Sequence, residues 1–428
     1  MPNTTRRDFI KTGAVAGTGL ALPIVNRQAM GTTVVEMLRD DLVADGRILV
    51  VVELAGGNDP LNTIVPLQQY DTYASFRSRI AIAKDQVLPL YGSTTMGLSP
   101  NLSALKPLAD AGKMAVVQMC HYPTPNLSHD GSRSVYRQGD ASGSVANGGT
   151  GWIGRHSVLF GNKTNSLDTV GIGGVNSTLY APGAKISGIL NDAQGNASGY
   201  LFRTDDRYTA DRNNQLVAAR VNDSAISDKP YIELSEATQI DALNSADLVA
   251  QATGSYQSTV TYPTNNLAPG LKLIAKLATS TAPLLGTRVF YIGQGGYDTH
   301  ADQLNDQQTL HRTLAESLKA FYDDLVAHNL GDKVLILIWS EFGRRVADNA
   351  SIGTDHGEAN NMYLIGNRVI GGVYGADPKL NDLQNGNLKR NFDFRDVYST
   401  VIQNWFGNSA SDAQKILNGS FANLGFLM

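Results

Sequence analysis

Four apolar runs, each ending in a loop of glycine and ionisable residues, constrain this 428-residue chain more than any other feature. The strongest is Val-Leu-Ile-Leu-Ile-Trp339, and the others are Ile-Leu-Val-Val-Val-Glu-Leu54, Met-Ala-Val-Val-Gln-Met119 and Val-Phe-Tyr-Ile292. A strand with one wet face alternates apolar and polar residues, so runs without alternation fit strands buried on both faces of a mostly parallel sheet. Residues 302–329 carry Leu310, Leu314, Leu318, Phe321 and Leu325 at helical spacing. Strand, long helix, strand is a βαβ unit, which predicts that the two strands are parallel neighbours. Further helices are expected over residues 102–111, 273–278 and 232–252, and a closing helix over 396–406, packed on the outside. The fold class is therefore α/β, a doubly wound and mostly parallel sheet. Residues 140–265, rich in Gly, Asn, Ser and Ala, read as an insertion or cap over one sheet edge, with a separate small domain as the alternative.

The N-terminus reads Thr4-Thr5-Arg6-Arg7-Asp8-Phe9-Ile10-Lys11, followed by a short, weakly apolar stretch to Pro23 and a plausible exit near Ala29. That is a twin-arginine signal over residues 1–29, with residues 30–428 as the exported domain. It implies the twin-arginine translocase as partner and a periplasmic or extracellular destination. Export in the folded state favours a metal or cofactor loaded beforehand. The apolar stretch is far shorter than the ~20 residues needed to cross a bilayer, so no integral membrane segment is expected. With Cys120 as the single cysteine no intramolecular disulfide can form. The formal net charge is −4 and no basic block occurs, which argues against nucleic acid as a partner.

In open parallel sheets ligands gather at the carboxyl ends of the strands, so the polar residues just after the apolar runs carry the functional weight. Gly56-Gly57-Asn58-Asp59 offers a carboxylate to a cation, or an Asx-turn or helix cap before Leu61. Asp298-Thr299-His300 pairs a carboxylate with an imidazole, a combination suited to a divalent transition metal, and Asp298 can also cap the long helix. Glu341 ends the strongest strand and must be ion-paired or metal-bound if buried. Its neighbours Arg344 and Arg345 can supply that pairing or clamp an anionic substrate oxygen. Asp355-His356 lies in a glycine-bracketed loop, as a second ligand pair or a surface turn. Ser128-His129 places a hydroxyl nucleophile beside an imidazole, or adds metal ligands. Cys120 reads as a small buried apolar residue, and His311 and His328 as structural.

Taken as an ordered set, Leu-Ala-Gly-Gly-Asn-Asp59, Asn-Leu-Ser-His129, Gly-Gly-Tyr-Asp-Thr-His300, Ser-Glu-Phe-Gly-Arg344 and Gly-Thr-Asp-His356-Gly resemble the twin-arginine-exported proteins of domain-of-unknown-function family 1501. That family belongs to the alkaline-phosphatase-like and sulfatase-like superfamily. The resemblance implies a doubly wound sheet whose strand-end loops hold one or two divalent ions, with Asp59, Asp298, His300 and His356 matching the superfamily's ligands and Ser128 its nucleophile. Two departures stand out: Ser340-Glu341 replaces an Asp-His pair, and Cys120-His-Tyr-Pro-Thr does not fit the formylglycine motif of sulfatases.

Two functions follow as expectations. One is a metal-dependent hydrolase of phosphate or sulfate esters, with saccharide and nucleotide esters as candidates, with Asp59, Asp298, His300, Glu341, Asp355 and His356 on the metal, Ser128 and His129 at the reacting group and Arg344 on the anion. The other is a non-catalytic envelope protein that binds a metal or ligand on an eroded site. A dinucleotide enzyme is disfavoured, since Gly293-Gln-Gly-Gly lacks the fingerprint spacing.

Overall fold

Ile48–Leu54 (β1) is buried along its whole length because a parallel strand pairs with it on each side. A computed structural model describes residues 46–141, 149–199, 230–280 and 286–428, so the proposed signal over 1–29 lies outside the described residues. The other strands of the central sheet are Met114–His121 (β2), Thr169–Ile172 (β3), Ile186–Asn191 (β4), Ala197–Ser198 (β5), Val289–Gln294 (β6), Val334–Trp339 (β7), Asn360–Ile365 (β8), Gly372–Tyr374 (β9) and Phe392–Asp393 (β10). Their order is β9-β2-β8-β7-β1-β6-β3-β4-β5, with β10 also paired to β2. From β7 to β4 the strands run parallel. β8 is antiparallel to both β7 and β2, so β2 points the same way as β1. The sheet is thus α/β and mostly parallel.

The helices that matter below are Pro60–Thr63 (α1), His129–Gln138 (α2), Trp152–Phe160 (α3), Pro230–Gly254 (α4), Ala268–Ala278 (α5), Gln303–Ala327 (α6), Phe394–Thr400 (α7) and Ala410–Leu417 (α8). Successive side chains of β1 point to opposite faces. Val50, Val52 and Leu54 join a core with Leu271 and Ile274 of α5 and Leu314, Leu318 and Phe321 of α6. Leu49 and Val51 join another with Trp152 of α3 and with Val397 and Trp405 of the C-terminal helix. Helices therefore cover both faces, which is why the strand sequences do not alternate. The closing helix runs from α7 into a π-helical turn, Val401–Trp405, and its inner side is fully buried.

One expectation is corrected. β6 and β7, joined by α6, are parallel but not neighbours, because β1 lies between them. A 25-residue helix can cross over an intervening strand as readily as over none. Of residues 140–265, expected as an insertion or cap over one sheet edge, β3 and β4 extend the sheet. Val170, Ile172 and Ile189 belong to the main core. Because β1, β2, β6 and β7 share one direction, the loops after them emerge at one edge, together with the loop that enters β8.

Candidate metal centre

The loops at this edge are locked together through their backbones. Gly56 has φ +126, and a Cβ there would stand 2.3 Å from the backbone nitrogen of Asp298, so the loop after β1 lies directly on the loop after β6. Residues 343–344 and 356–357 form a two-stranded ribbon that places Arg344 opposite His356. Helix α2 begins at His129, after Ser128, whose Oγ accepts the N–H of Gly131 at 3.2 Å.

Four side chains converge at the mouth of this edge. The Asp298 carboxylate has His300 Nε2 at 3.0 Å and His356 Nε2 at 3.1 Å from Oδ1, and His129 Nε2 at 3.3 Å from Oδ2. The Nε2 atoms of His300 and His356 are 2.9 Å apart. Phe342 floors the cluster beneath the rings of His129 and His356, 5.0 and 4.4 Å away by centroid. His129, Asp298 and His356 each offer a ligand atom within 4.8 Å of the others, and His300 Nε2 lies beside them against Asp298 and His356. Two imidazoles and a carboxylate suit a divalent transition ion.

Proton positions sharpen the point. His356 Nδ1 lies 2.8 Å from the carbonyl of Leu127, which can only accept, so Nδ1 carries the hydrogen. His129 Nδ1 faces Glu341 Oε1 at 3.1 Å, again an acceptor, and His300 Nδ1 lies 3.5 Å from Asp355 Oδ1. The three Nε2 atoms face Asp298, and Arg344 Nη2 donates to it at 2.8 Å. Partial burial alone would raise the Asp298 pKa, but the hydrogen bonds of Arg344 and His356 outweigh it and hold the group down at about 2. Asp298 is therefore an anion beside imidazoles, and with His129 and His356 it forms a group that could hold a metal ion.

Several predicted site residues lie elsewhere. Asp59 is fully buried, caps α1 by accepting the N–H of Leu61 at 3.0 Å, and gives Oδ2 to Arg77 and to Gln303 Nε2. A carboxylate so neutralised is not part of the His129–Asp298–His356 cluster. Glu341 is also fully buried and accepts from Gly56 N–H at 2.8 Å and Arg133 Nη2 at 3.1 Å, so it orients His129 rather than facing the centre itself. Asp355 backs His300 and Asn349 in the same way. Arg344 has no free fork for a substrate anion: Nε donates to Gly57 O, Nη1 to Thr354 O, and Nη2 to Tyr297 O and Asp298. Its guanidinium ties three loops together. Ser128 Oγ serves as a helix cap, and His129, expected beside a nucleophile, faces Asp298 instead. Burial pushes the Cys120 thiol far up, in keeping with an inert apolar residue.

Sequence reasoning missed the layer beneath. Glu53, nearly inaccessible at the end of β1, is held bidentately by Arg137 at 2.9 Å, touches Arg133 Nε at 3.2 Å and accepts from Tyr291 OH. Arg133 links Glu53 to Glu341, and through it to His129. The acidic residue inside an otherwise apolar run was the available signal.

No curated protein sequence matches the chain. Among solved structures it is similar in outline to Ps i-CgsB (10% identity, 88% of this chain and 75% of that chain, TM-score 0.38). Others are the PsFucS1 sulfatase from Pseudoalteromonas sp. (12%, 94% and 77%, 0.36) and the alkaline phosphatase from the Antarctic bacterium TAB5 (10%, 77% and 94%, 0.29). These scores lie below the level at which residues can be equated. The family model described as "Protein of unknown function (DUF1501)" matches residues 47–407, nearly everything from β1 to the end of the closing helix, and the chain belongs to that family.

Proposed function

We propose that this protein holds a single divalent transition-metal ion at the carboxyl edge of its sheet and uses it to hydrolyse phosphate or sulfate esters outside the cytoplasm. The observation that carries the reading is the group of His129, Asp298 and His356, whose ligand atoms lie within 4.8 Å of one another, with His300 Nε2 against the same carboxylate at 3.0 Å. One ion is proposed rather than two because Asp59 and Glu341, the further carboxylates expected at the metal, are committed to Arg77 and to Arg133 with His129. Such an ion supplies Lewis acidity, lowering the pKa of water and polarising the ester oxygen. His129, His300, His356 and Asp298 would hold it. Glu341, Asp355 and the Leu127 carbonyl fix the rings. Asp298 and His300 are nearly half exposed, which leaves one side open to a substrate. The N-terminus of α2 adds a dipole that favours an anionic ester.

Export through residues 1–29 by the twin-arginine translocase, to the periplasm or beyond, is part of the proposal and rests on the sequence. No helix among the described residues is long and apolar enough to cross a membrane. The test is steady-state hydrolysis of aryl phosphate and aryl sulfate esters by the exported protein, before and after chelation. Turnover lost on chelation and restored by one equivalent of metal is expected; metal-loaded protein that turns over neither ester defeats the reading.

A second reading, a metal-binding protein without turnover, is favoured by one observation: both Arg344 and Ser128, the expected anion clamp and nucleophile, have structural partners. Replacing Asp298 and His356 together by alanine separates the two. Metal bound by the wild type and lost in the variant, with no ester turned over by either, supports binding alone.

A further inference from the structure

We infer that Arg133 is a positioning residue of the metal centre: it fixes the Glu341 carboxylate behind the ligand His129, a duty that Arg137 on the same helix does not share. The inference rests on the proposed metal centre and deepens it. Helix α2 carries His129, Arg133 and Arg137 at every fourth position, a spacing that puts all three on one face. That face lies along the ends of β1 and β7, where it meets Glu53 and Glu341. Both carboxylates are buried, and two such anions side by side must each be met by a cation. Burial, aided by the charge of Glu341, pushes the Glu53 pKa up, against the opposing pull of Arg137 and Arg133.

The two arginines divide the work. Arg137 commits Nε and Nη2 to the two oxygens of Glu53, at 2.9 Å each. Arg133 stands between the carboxylates, with Nε 3.2 Å from Glu53 Oε1 and Nη2 donating to Glu341 Oε1 at 3.1 Å. That same Oε1 atom faces His129 Nδ1 at 3.1 Å and accepts the Gly56 N–H at 2.8 Å. One oxygen therefore joins the arginine, the loop after β1 and the ligand imidazole. Ser132 Oγ donates to the Glu341 carbonyl at 2.6 Å, so the helix is tied to the backbone of the same residue. With Arg133 removed, the cation between Glu341 and Glu53 is gone, and Oε1 loses a donor that fixes it at His129. An imidazole whose outer partner shifts no longer holds its Nε2 on the metal side. Arg133 thus acts through Glu341 and His129 and not on the ion.

The experiment is competition titration of zinc against a chelating dye in the full protein, run beside urea unfolding of the metal-free form. The variants are Arg133→Gln, Arg133→Lys, Arg137→Gln, Glu341→Gln and the double Arg133→Gln/Glu341→Gln. Arg133 and Arg137 are equally exposed, at 25% and 24%, and both pair with Glu53, so both glutamine variants should unfold at lower urea. Only Arg133→Gln should lower zinc affinity, by about 10–100-fold. Arg133→Lys keeps the charge without the fork and should fall between that variant and the wild type. Once Glu341 is glutamine, Arg133→Gln should add no further loss, as for two residues that act through one contact. Wild-type affinity in Arg133→Gln, or an equal loss in Arg137→Gln, overturns the inference and leaves the metal centre standing. Should Arg133→Gln fail to fold, Arg133→Lys decides in its place: reduced affinity supports the inference and wild-type affinity overturns it. A wild type that binds no zinc removes the metal centre, and the inference with it.

Discussion

Two aspartates in this molecule sit at the centre of polar clusters, and they differ in burial and in the groups that surround them. Asp324, fully buried on α6, accepts from Tyr256 OH, Ser258 Oγ at 2.7 Å and Tyr262 OH at 2.7 Å. These three are hydroxyl donors, His328 Nδ1 also lies 3.3 Å from Oδ1, and the cluster pins residues 256–262 to the helix. Asp298 has three imidazoles beside it, two of which, His129 and His356, form with it a group that could hold a metal ion. The first arrangement is a finished piece of protein structure. The second is half-exposed, as the proposed cation site requires.

Asp298→Ala should abolish metal binding, from one equivalent to none by metal analysis, while urea unfolding of the metal-free protein stays close to wild type. Asp324→Ala should do the reverse, keeping the metal and losing roughly 3 kcal/mol or more, because three hydroxyls lose their acceptor in the interior. If both variants lose stability and neither loses metal, the contrast between the clusters collapses. Asp59→Asn separates the expected ligand from the observed one. It leaves Arg77 buried with its charge partner removed, so a loss of about 3–5 kcal/mol is expected by denaturant titration, with metal stoichiometry still at one. Glu341→Gln weakens the acceptor behind His129, and metal affinity should fall ~10–100-fold in a competition titration.

The last effect concerns histidines outside the centre and grows as the pH falls. Burial lowers the pKa of His121 to about 3, and of His156 and His311 to about 4. The unfolded chain takes up protons near pH 6.5 while these folded rings do not, so stability is full above that pH. It then falls as the pH drops toward 4, by up to about 1.4 kcal/mol per pH unit for each ring. The slope should be the same in Asp298→Ala. A slope that vanishes in that variant would place the acid sensitivity at the metal centre instead.

The strands, the long helix and the two-faced burial were legible because local periodicity encodes them. Asp298, His300 and His356 stood out because glycine-bracketed loops after apolar runs have few other uses. What was not legible was which ionisable groups pair. Arg77 meets Asp59 across one loop, but Arg344 meets the loops at residues 56–57 and 297–298, and Arg133 reaches Glu53 and Glu341 from a helix whose sequence looks merely amphipathic. Such pairings depend on strand order, and β1 inserting between β6 and β7 is a fact of topology that no local pattern carries. The roles of Asp59, Glu341 and Arg344 therefore changed once their partners were known, while Asp298 kept its place at the centre.

The most direct test is the stoichiometry of zinc or cobalt bound to the chelated and dialysed protein, by calorimetry with metal analysis of the complex. The account predicts one equivalent, absent in Asp298→Ala and in His356→Ala. Zero equivalents in the wild type would contradict it, and so would two, because the carboxylates needed for a second ion are already held by Arg77 and Arg133.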